Sequence, residues 1–236
     1  MDNVTASSDI PRPETPPRVG FFDSGIGGVS VVLEFVRLRP DAEVYYLADW
    51  EYCPYGDKTP EIILARAHWL TRKLLDQGCR LIVVACNTAT AVAIDSLRAA
   101  YDVPFVGMEP AVKPAALHSK SGVVGILATA STFHGRLYRE TSARFSSGVR
   151  IVTATGDGFV ELVENGDIDS VHARHVVSGV LKPMLAEGVD HIVLGCTHYP
   201  FLKSVIQEIA GPDVTVVDPS LPVARRACEL LRDGLA

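Results

Sequence analysis

Leu81-Ile82-Val83-Val84-Ala85-Cys86-Asn87-Thr88 and His191-Ile192-Val193-Leu194-Gly195-Cys196-Thr197-His198 are two copies of one pattern. In each, an apolar run ends in a small residue and a cysteine, and a glycine stands eight positions before that cysteine (Gly78, Gly188). Short apolar runs bounded in this way fit buried strands. A buried strand that delivers a thiol to its carboxyl end, present once in each half of the chain, points to a site built from two facing cysteines.

The repeat extends outward from these runs. Val19-Gly20-Phe21-Phe22 reads as a first strand, Asp23 to Gly28 as a turn, Val29 to Leu38 as a helix and Val44 to Leu47 as a second strand. Thr59-Pro60-Glu61 opens a long helix that stops at Gly78. After the first cysteine run come a helix from Ala91 to Ala100, a strand from Val103 to Gly107, and Glu109-Pro110. The second half restarts the series: Val123 to Leu127, the turn Ala128-Thr129-Ala130-Ser131-Thr132, Val149 to Thr153, a helix over Asp169 to Glu187, the second cysteine run, then Val214 to Val217 with Asp218-Pro219. The offsets are about 105 (Val44 to Val149) to about 111 (Val103 to Val214). Alternating strands and helices predict an α/β fold of two similar lobes, each a mainly parallel sheet flanked by helices. Ligands of such sheets bind beyond the carboxyl ends of the strands, where Asp23, Cys86, Thr132 and Cys196 fall, so the active site is expected in the cleft between the lobes.

Composition narrows the function classes. The 236 residues are 47% hydrophobic and 21% charged, with a net charge of −6 and an isoelectric point near 5.6. This balance offers no broad positive field for nucleic acid or an anionic membrane. There is no apolar run of membrane-spanning length and no signal-peptide pattern, so a cytoplasmic location is expected. Residues 1–18, with four prolines and little apolar content, are expected to be a disordered leader outside the fold. The five cysteines (Cys53, Cys79, Cys86, Cys196, Cys228) include no Cys-x-x-Cys pair, so neither a disulfide framework nor a zinc knuckle is expected.

A free thiol, with a pKa of about 8.5, is a useful base near neutrality only if something stabilises its thiolate. A helix N-terminus does so, and both cysteines are expected where a strand hands over to a helix. His198, two residues beyond Cys196, can share a proton with it if the backbone there is extended, and Asp23 can serve Cys86. Two bases of one kind, one from each lobe, suit inversion of a carbon centre: one thiolate removes a proton from one face while a thiol returns one to the other. Ser24, Asn87, Thr88, Thr132 and Thr197 are then donors to a substrate carboxylate, whose charge grows as the α-carbon loses its proton. No lysine is placed for a pyridoxal Schiff base, and no cofactor or metal is expected. Other assignments stay open. Asp23 can simply cap the following helix, Cys196 and His198 alone could form a hydrolase nucleophile pair, and the two lobes could clamp an acidic ligand without chemistry. Gly25, Gly27 and Gly28 hint weakly at phosphate binding.

Asp23-Ser24-Gly25-Ile26-Gly27-Gly28, Pro54-Tyr55-Gly56, Ala85-Cys86-Asn87-Thr88-Ala89, Glu109-Pro110 and Gly195-Cys196-Thr197-His198-Tyr199-Pro200 occur in that order between Val19 and Asp218. Together they resemble the cofactor-independent aspartate/glutamate racemase family, and within it the glutamate racemases. The resemblance implies two pseudo-symmetric lobes with the last strand returning to the first: residues 19–112 plus 213–236 in one lobe, 113–212 in the other. It also implies racemisation of glutamate to supply D-glutamate for peptidoglycan, with aspartate or another amino acid as the alternative substrate. A small-molecule amino acid is the expected partner, and a homodimer is left open. By resemblance Cys86 and Cys196 are the two bases, Asp23 assists Cys86, and His198 with Glu164 assists Cys196. Glu164 comes from the Phe159-Val160-Glu161-Leu162-Val163-Glu164 segment. Ser24, Pro54, Tyr55, Gly56, Asn87, Thr88, Thr132 and Thr197 match substrate-binding positions. The chain departs from the glutamate racemase pattern at Asp49-Trp50-Glu51-Tyr52-Cys53, where Asp-Thr/Ser-Ala-Arg is usual, and at Thr155-Gly156-Asp157-Gly158, where Cys-Pro is usual.

Overall fold

The computed structural model describes residues 16–145, 148–232 and 234, so the leader expected over residues 1–18 lies almost wholly outside the described residues. The first strand, β1 (Arg18–Asp23), starts one residue earlier than expected. Arg18 pairs in register with Glu43 on the next strand and its guanidinium meets the Glu43 carboxylate at 2.7 Å. The chain continues through α1 (Val29–Leu38), β2 (Glu43–Ala48), α2 (Pro60–Asp76), β3 (Leu81–Val84), α3 (Asn87–Ala100), β4 (Phe105–Gly107) and α4 (Val112–His118). The second series is β5 (Val123–Ala128), α5 (Ala130–His134), α6 (Arg136–Phe145), β6 (Arg150–Thr155), α7 (Phe159–Glu164), α8 (Val171–Ala186), β7 (His191–Gly195), α9 (Lys203–Ala210), β8 (Thr215–Val217) and α10 (Ser220–Arg232).

The strands form two four-stranded parallel sheets with the same order, β2-β1-β3-β4 and β6-β5-β7-β8. Parallel neighbours require crossover connections, and the helices that make them cover the sheet faces. That is why β3 is apolar and buried at every position, and why β7 is buried from Ile192 to Gly195. The cysteine runs are therefore corresponding strands, each flanked by the first strand of its own repeat.

The two halves exchange helices. After β4 the chain crosses over, and Val112 and Ala115 of α4 pack with Val124 and Ile126 of β5 and Val193 of β7. After β8 it crosses back, and Val223, Ala224, Ala227 and Cys228 of α10 pack with Val19 and Phe21 of β1 and with Val31 and Phe35 of α1. This corrects the expected return of the last strand to the first lobe. β8 pairs with β7 over Thr215 to Val217 and stays in the second sheet. The departure comes one element later, at Asp218-Pro219, where the Asp218 carboxylate accepts the Ser220 N–H at 2.9 Å and starts α10. Beside β7, Val216 is buried in the core of the second sheet, with Ile192 and Leu194 of that strand.

One further difference bears on the site. The helix expected from Ala91 begins at Asn87, with Cys86 itself as the capping residue.

Phe35 is fully buried, 5.2 Å from the Phe21 ring, and holds α10 to the first sheet through α1. Phe35→Ala is expected to lower the unfolding free energy by about 3–5 kcal/mol, measured by urea titration, with no change in the strands that carry the cysteines.

Candidate active site

Asp23 ends β1 with its carboxylate fully buried. Its Oδ2 accepts the Gly28 N–H at 3.0 Å, and Gly25 N lies 3.4 Å away, so the side chain folds the Ser24–Gly28 turn against the start of α1. Asp23 therefore braces the turn before α1, whose N-cap is Gly28 without a side-chain cap bond, and it makes a second contact. Thr197, from beyond β7 of the other sheet, directs its hydroxyl at the same carboxylate at 3.2 and 3.3 Å. Cys86 follows β3, 95% buried, and its sulfur accepts the Ala89 N–H at 3.4 Å at the α3 N-terminus. Burial, then the Asp23 charge, push the Cys86 thiol well up, against the opposing Ala89 N–H; the charge of Cys196 adds to the rise.

On the other side Cys196 follows β7, and His198 Nδ1 is 3.8 Å from its sulfur. The remaining ring nitrogen, Nε2, donates to Glu164 Oε1 at 2.6 Å. Burial alone would strip His198 of its proton, but its contacts with Cys196, Cys53 and Glu164 outweigh burial and push it up to about 12. Burial would likewise raise Glu164, yet donation from His198, the Ile26 N–H and the Trp50 indole holds it below the ordinary carboxylate value. The result is a buried imidazolium clamped between a carboxylate and a thiol.

Glu164 ends α7 and reaches over to the first lobe, where Ile26 N–H donates to Oε1 and Trp50 Nε1 to Oε2, each at 2.8 Å. The glycine turn allows this. A Cβ on Gly25 would overlap the Glu164 carboxylate, and one on Gly27 would lie 2.5 Å from both His198 Nδ1 and Thr197 Oγ1. The glycines thus serve close approach between lobes, and the weak hint of phosphate binding is not needed to explain them.

The expected substrate positions fall into three groups. Ser24, Asn87, Thr88, Thr132 and Thr197 are all buried around the two cysteines' strand ends. Thr88, Thr129 and Thr132 form a hydroxyl chain across the lobes, at 2.9 and 3.0 Å. Asn87 Nδ2 is 3.5 Å from Met108 O, while its Oδ1 is buried with no partner among the described residues and is available to a ligand N–H. Pro54 and Gly56 line an adjoining cavity of about 240 Å³ with Thr129, Gly156, Asp157 and Tyr199. The Gly56 carbonyl also accepts the Ser131 hydroxyl at 2.9 Å. The Tyr55 hydroxyl donates to Asp49 at 2.6 Å, and Asp49 is held in turn by Arg66.

Sequence reasoning missed Thr129, Trp50 and Arg66. Thr129 could have been found from the repeat, since it stands 105 positions after Ser24 (129 − 24). Trp50 and Arg66 carry no such signal; Arg66 acts on the loop from α2 and stacks over Tyr52 and Trp69 at 4.3 and 4.4 Å.

The profile of the Asp/Glu/hydantoin racemase family matches residues 32–227. The chain belongs to this family. It is 45% identical over 213 residues to a glutamate racemase of Herpetosiphon aurantiacus, covering 90% of this chain and 84% of that protein. The fold matches Escherichia coli glutamate racemase, solved with L-glutamate and an activator, UDP-MurNAc-ala, with a TM-score of 0.86, 35% identity, and coverage of 92% of this chain and 83% of that one. A glutamate racemase from Bacillus anthracis superposes with a TM-score of 0.82 at 29% identity, covering 93% and 84%. Members of this family that racemise amino acids invert a carbon centre, which is the chemistry for which two opposed thiols are suited. Among the described residues no helix is long and apolar enough to cross a membrane.

The His198–Glu164 pair sets a pH window for stability. His198 gains proton affinity on folding, so its contribution is complete below its ordinary value of 6.5 and fades as pH rises toward about 12. Glu164 is shifted down, so its contribution is complete above its ordinary 4.5 and is lost on acidification. Thermal unfolding across the pH range is therefore expected to show the largest loss for Glu164→Gln between about 4.5 and about 6.5, narrowing on either side.

Proposed function

We propose that this chain is a glutamate racemase that interconverts L- and D-glutamate without a cofactor and supplies D-glutamate for peptidoglycan in the cytoplasm. The observation that carries this reading is the pair of thiols at corresponding strand ends, each with its own polar partner: Asp23 for Cys86, and His198 with Glu164 for Cys196. The similarity to glutamate racemases over about nine-tenths of the chain supports glutamate over other amino acids. The lobes assigned here are β1 to β4 with α10, and α4 to β8, with the substrate between them.

In one direction Cys196, beside the His198 imidazolium that stabilises negative charge, takes the α-proton onto its sulfur. Cys86, which burial and Asp23 keep protonated, gives its S–H proton to the opposite face. One proton enters the carbon and one leaves it, so the product has inverted configuration and the two sulfurs have exchanged protonation. The other enantiomer uses the same steps reversed. Ser24, Asn87, Thr88 and Thr132 donate to the substrate carboxylate, where charge accumulates as the C–H bond weakens, while Thr197, whose hydroxyl donates to Asp23, borders the same site. Inversion requires the two sulfurs to start from opposite protonation states, and Cys86, kept protonated by burial and Asp23, starts as the acid in this direction.

Incubating the protein with single enantiomers of glutamate, aspartate and other amino acids in D2O tests this reading. Deuterium at the α-carbon with loss of optical activity is expected for glutamate; exchange confined to another amino acid would reassign the substrate. Cys86→Ser and Cys196→Ser are each expected to lower racemisation by about 10²–10⁴-fold. A hydrolase using Cys196 and His198 alone would tolerate the change at Cys86.

A further inference from the structure

Cys53 stands outside the racemisation chemistry, yet its sulfur lies beside the residues proposed to assist Cys196. Cys53 Sγ, Glu164 Oε1 and His198 Nε2 all lie within 4.8 Å of one another. Each comes from a different part of the chain: the loop before Pro54, the end of α7, and the segment after β7. The sulfur is 3.8 Å from the carboxylate oxygen, which is 2.6 Å from the imidazole nitrogen. We propose that Cys53, Glu164 and His198 form a binding site for a thiophilic divalent cation, with Zn²⁺ as the fitting ion, and that metal bound there switches the enzyme off.

Thiolate, imidazole and carboxylate are the three ligand types zinc takes from proteins, and three protein ligands leave a fourth position for water. With metal bonds of about 2.0–2.3 Å, tetrahedral ligand atoms stand about 3.3–3.8 Å apart. The sulfur–oxygen edge already has that length, and the nitrogen–oxygen edge reaches it when Glu164 swings outward by about 1 Å. The carboxylate has room to do so, since its side chain is one-fifth exposed and Trp50 above it is 63% exposed. Surrounding groups orient the ligands, as metal sites require: Ile26 N–H and the Trp50 indole hold the carboxylate, and Cys196 faces the far nitrogen of His198. Coordination replaces the Cys53 S–H proton and the His198 Nε2 proton, and both pass to solvent. His198 then becomes a neutral ligand and no longer places positive charge beside Cys196. The inhibition rests on the racemase reading above, whereas the binding site rests on the geometry alone.

The test uses the full chain freed of metal by chelator dialysis and titrated with ZnCl2 or, separately, CoCl2. One metal per chain is expected, with a thiolate-to-cobalt charge-transfer band that persists in Cys196→Ala and Cys86→Ala and is absent from Cys53→Ala. Zinc affinity should fall by at least about 100-fold in Cys53→Ala, and zinc that arrests racemisation by the parent should leave the residual turnover of Cys53→Ala unaffected. Equal affinity in Cys53→Ala overturns the site, as does loss of the band in Cys196→Ala, which would put the metal on the catalytic thiols. Metal-free thermal unfolding checks that Cys53→Ala folds; if it does not, Cys53→Ser, close in volume and a poor zinc ligand, takes its place. The band and the stoichiometry are read without turnover, so absence of glutamate racemisation would leave this arm decisive.

Discussion

The Glu164 carboxylate takes hydrogen bonds from three points far apart in sequence, the Ile26 N–H, the Trp50 indole and the His198 imidazole, and so joins the first-lobe turn to the second-lobe cysteine segment. None of these contacts could form if the turn carried side chains at Gly25 or Gly27, because their Cβ atoms would take the space of the carboxylate and the imidazole. The glycine turn, the carboxylate and the imidazolium are therefore one unit. It sets how closely the lobes approach, and thereby how near the sulfur of Cys196 comes to that of Cys86.

The exchanged helices have a related effect from the opposite side of the molecule. Because α4 leaves the first sheet to pack on the second, and α10 does the reverse, each lobe is completed by a segment from the other half of the chain. Each crossover helix stays with the sheet it covers, so the lobes are joined through the segments that lead into α4 and α10, and the two sheets are constrained to move about these connections. Across the site itself the lobes are tied by polar contacts that substrate can replace one for one, such as the Thr88–Thr129 hydroxyl pair. Apolar exchange behind and polar contacts in front suit a cleft that opens for a small charged ligand.

Much of this was legible in the sequence because strand and repeat signals are local. The apolar runs ending in Cys86 and Cys196 become fully buried parallel strands, and their common glycine spacing reflects identical crossover geometry. The start of α3 was not legible: Asn87-Thr88-Ala89-Thr90 has turn-like composition, and only burial against the sheet makes it a helical first turn capped by the Cys86 sulfur. The destination of β8 was misread from family resemblance, although its own repeat relation to β4 already placed it beside β7. The Tyr55 hydroxyl could not be assigned from a motif, because Arg66, which positions Asp49 to receive it, lies on α2 with no spacing that marks it.

The two halves repeat in backbone and differ where chemistry needs them to. The position 105 residues after Asp23 is Ala128, so the second lobe has no equivalent carboxylate at the end of its first strand (128 − 23). The offset is 110 at the cysteines (196 − 86), and the second cysteine finds its partner on its own segment, in His198, whose counterpart after Cys86 is Thr88 (both two positions beyond the cysteine). A carboxylate beside Cys86 raises its hold on the proton, while the sulfur of Cys196 lies 3.8 Å from an imidazolium nitrogen. A strictly symmetric site would hold both sulfurs in the same protonation state at rest. The divergence of the repeat at Asp23 and His198 gives the two sulfurs different polar partners, a carboxylate on one side of the cleft and an imidazolium held by Glu164 on the other.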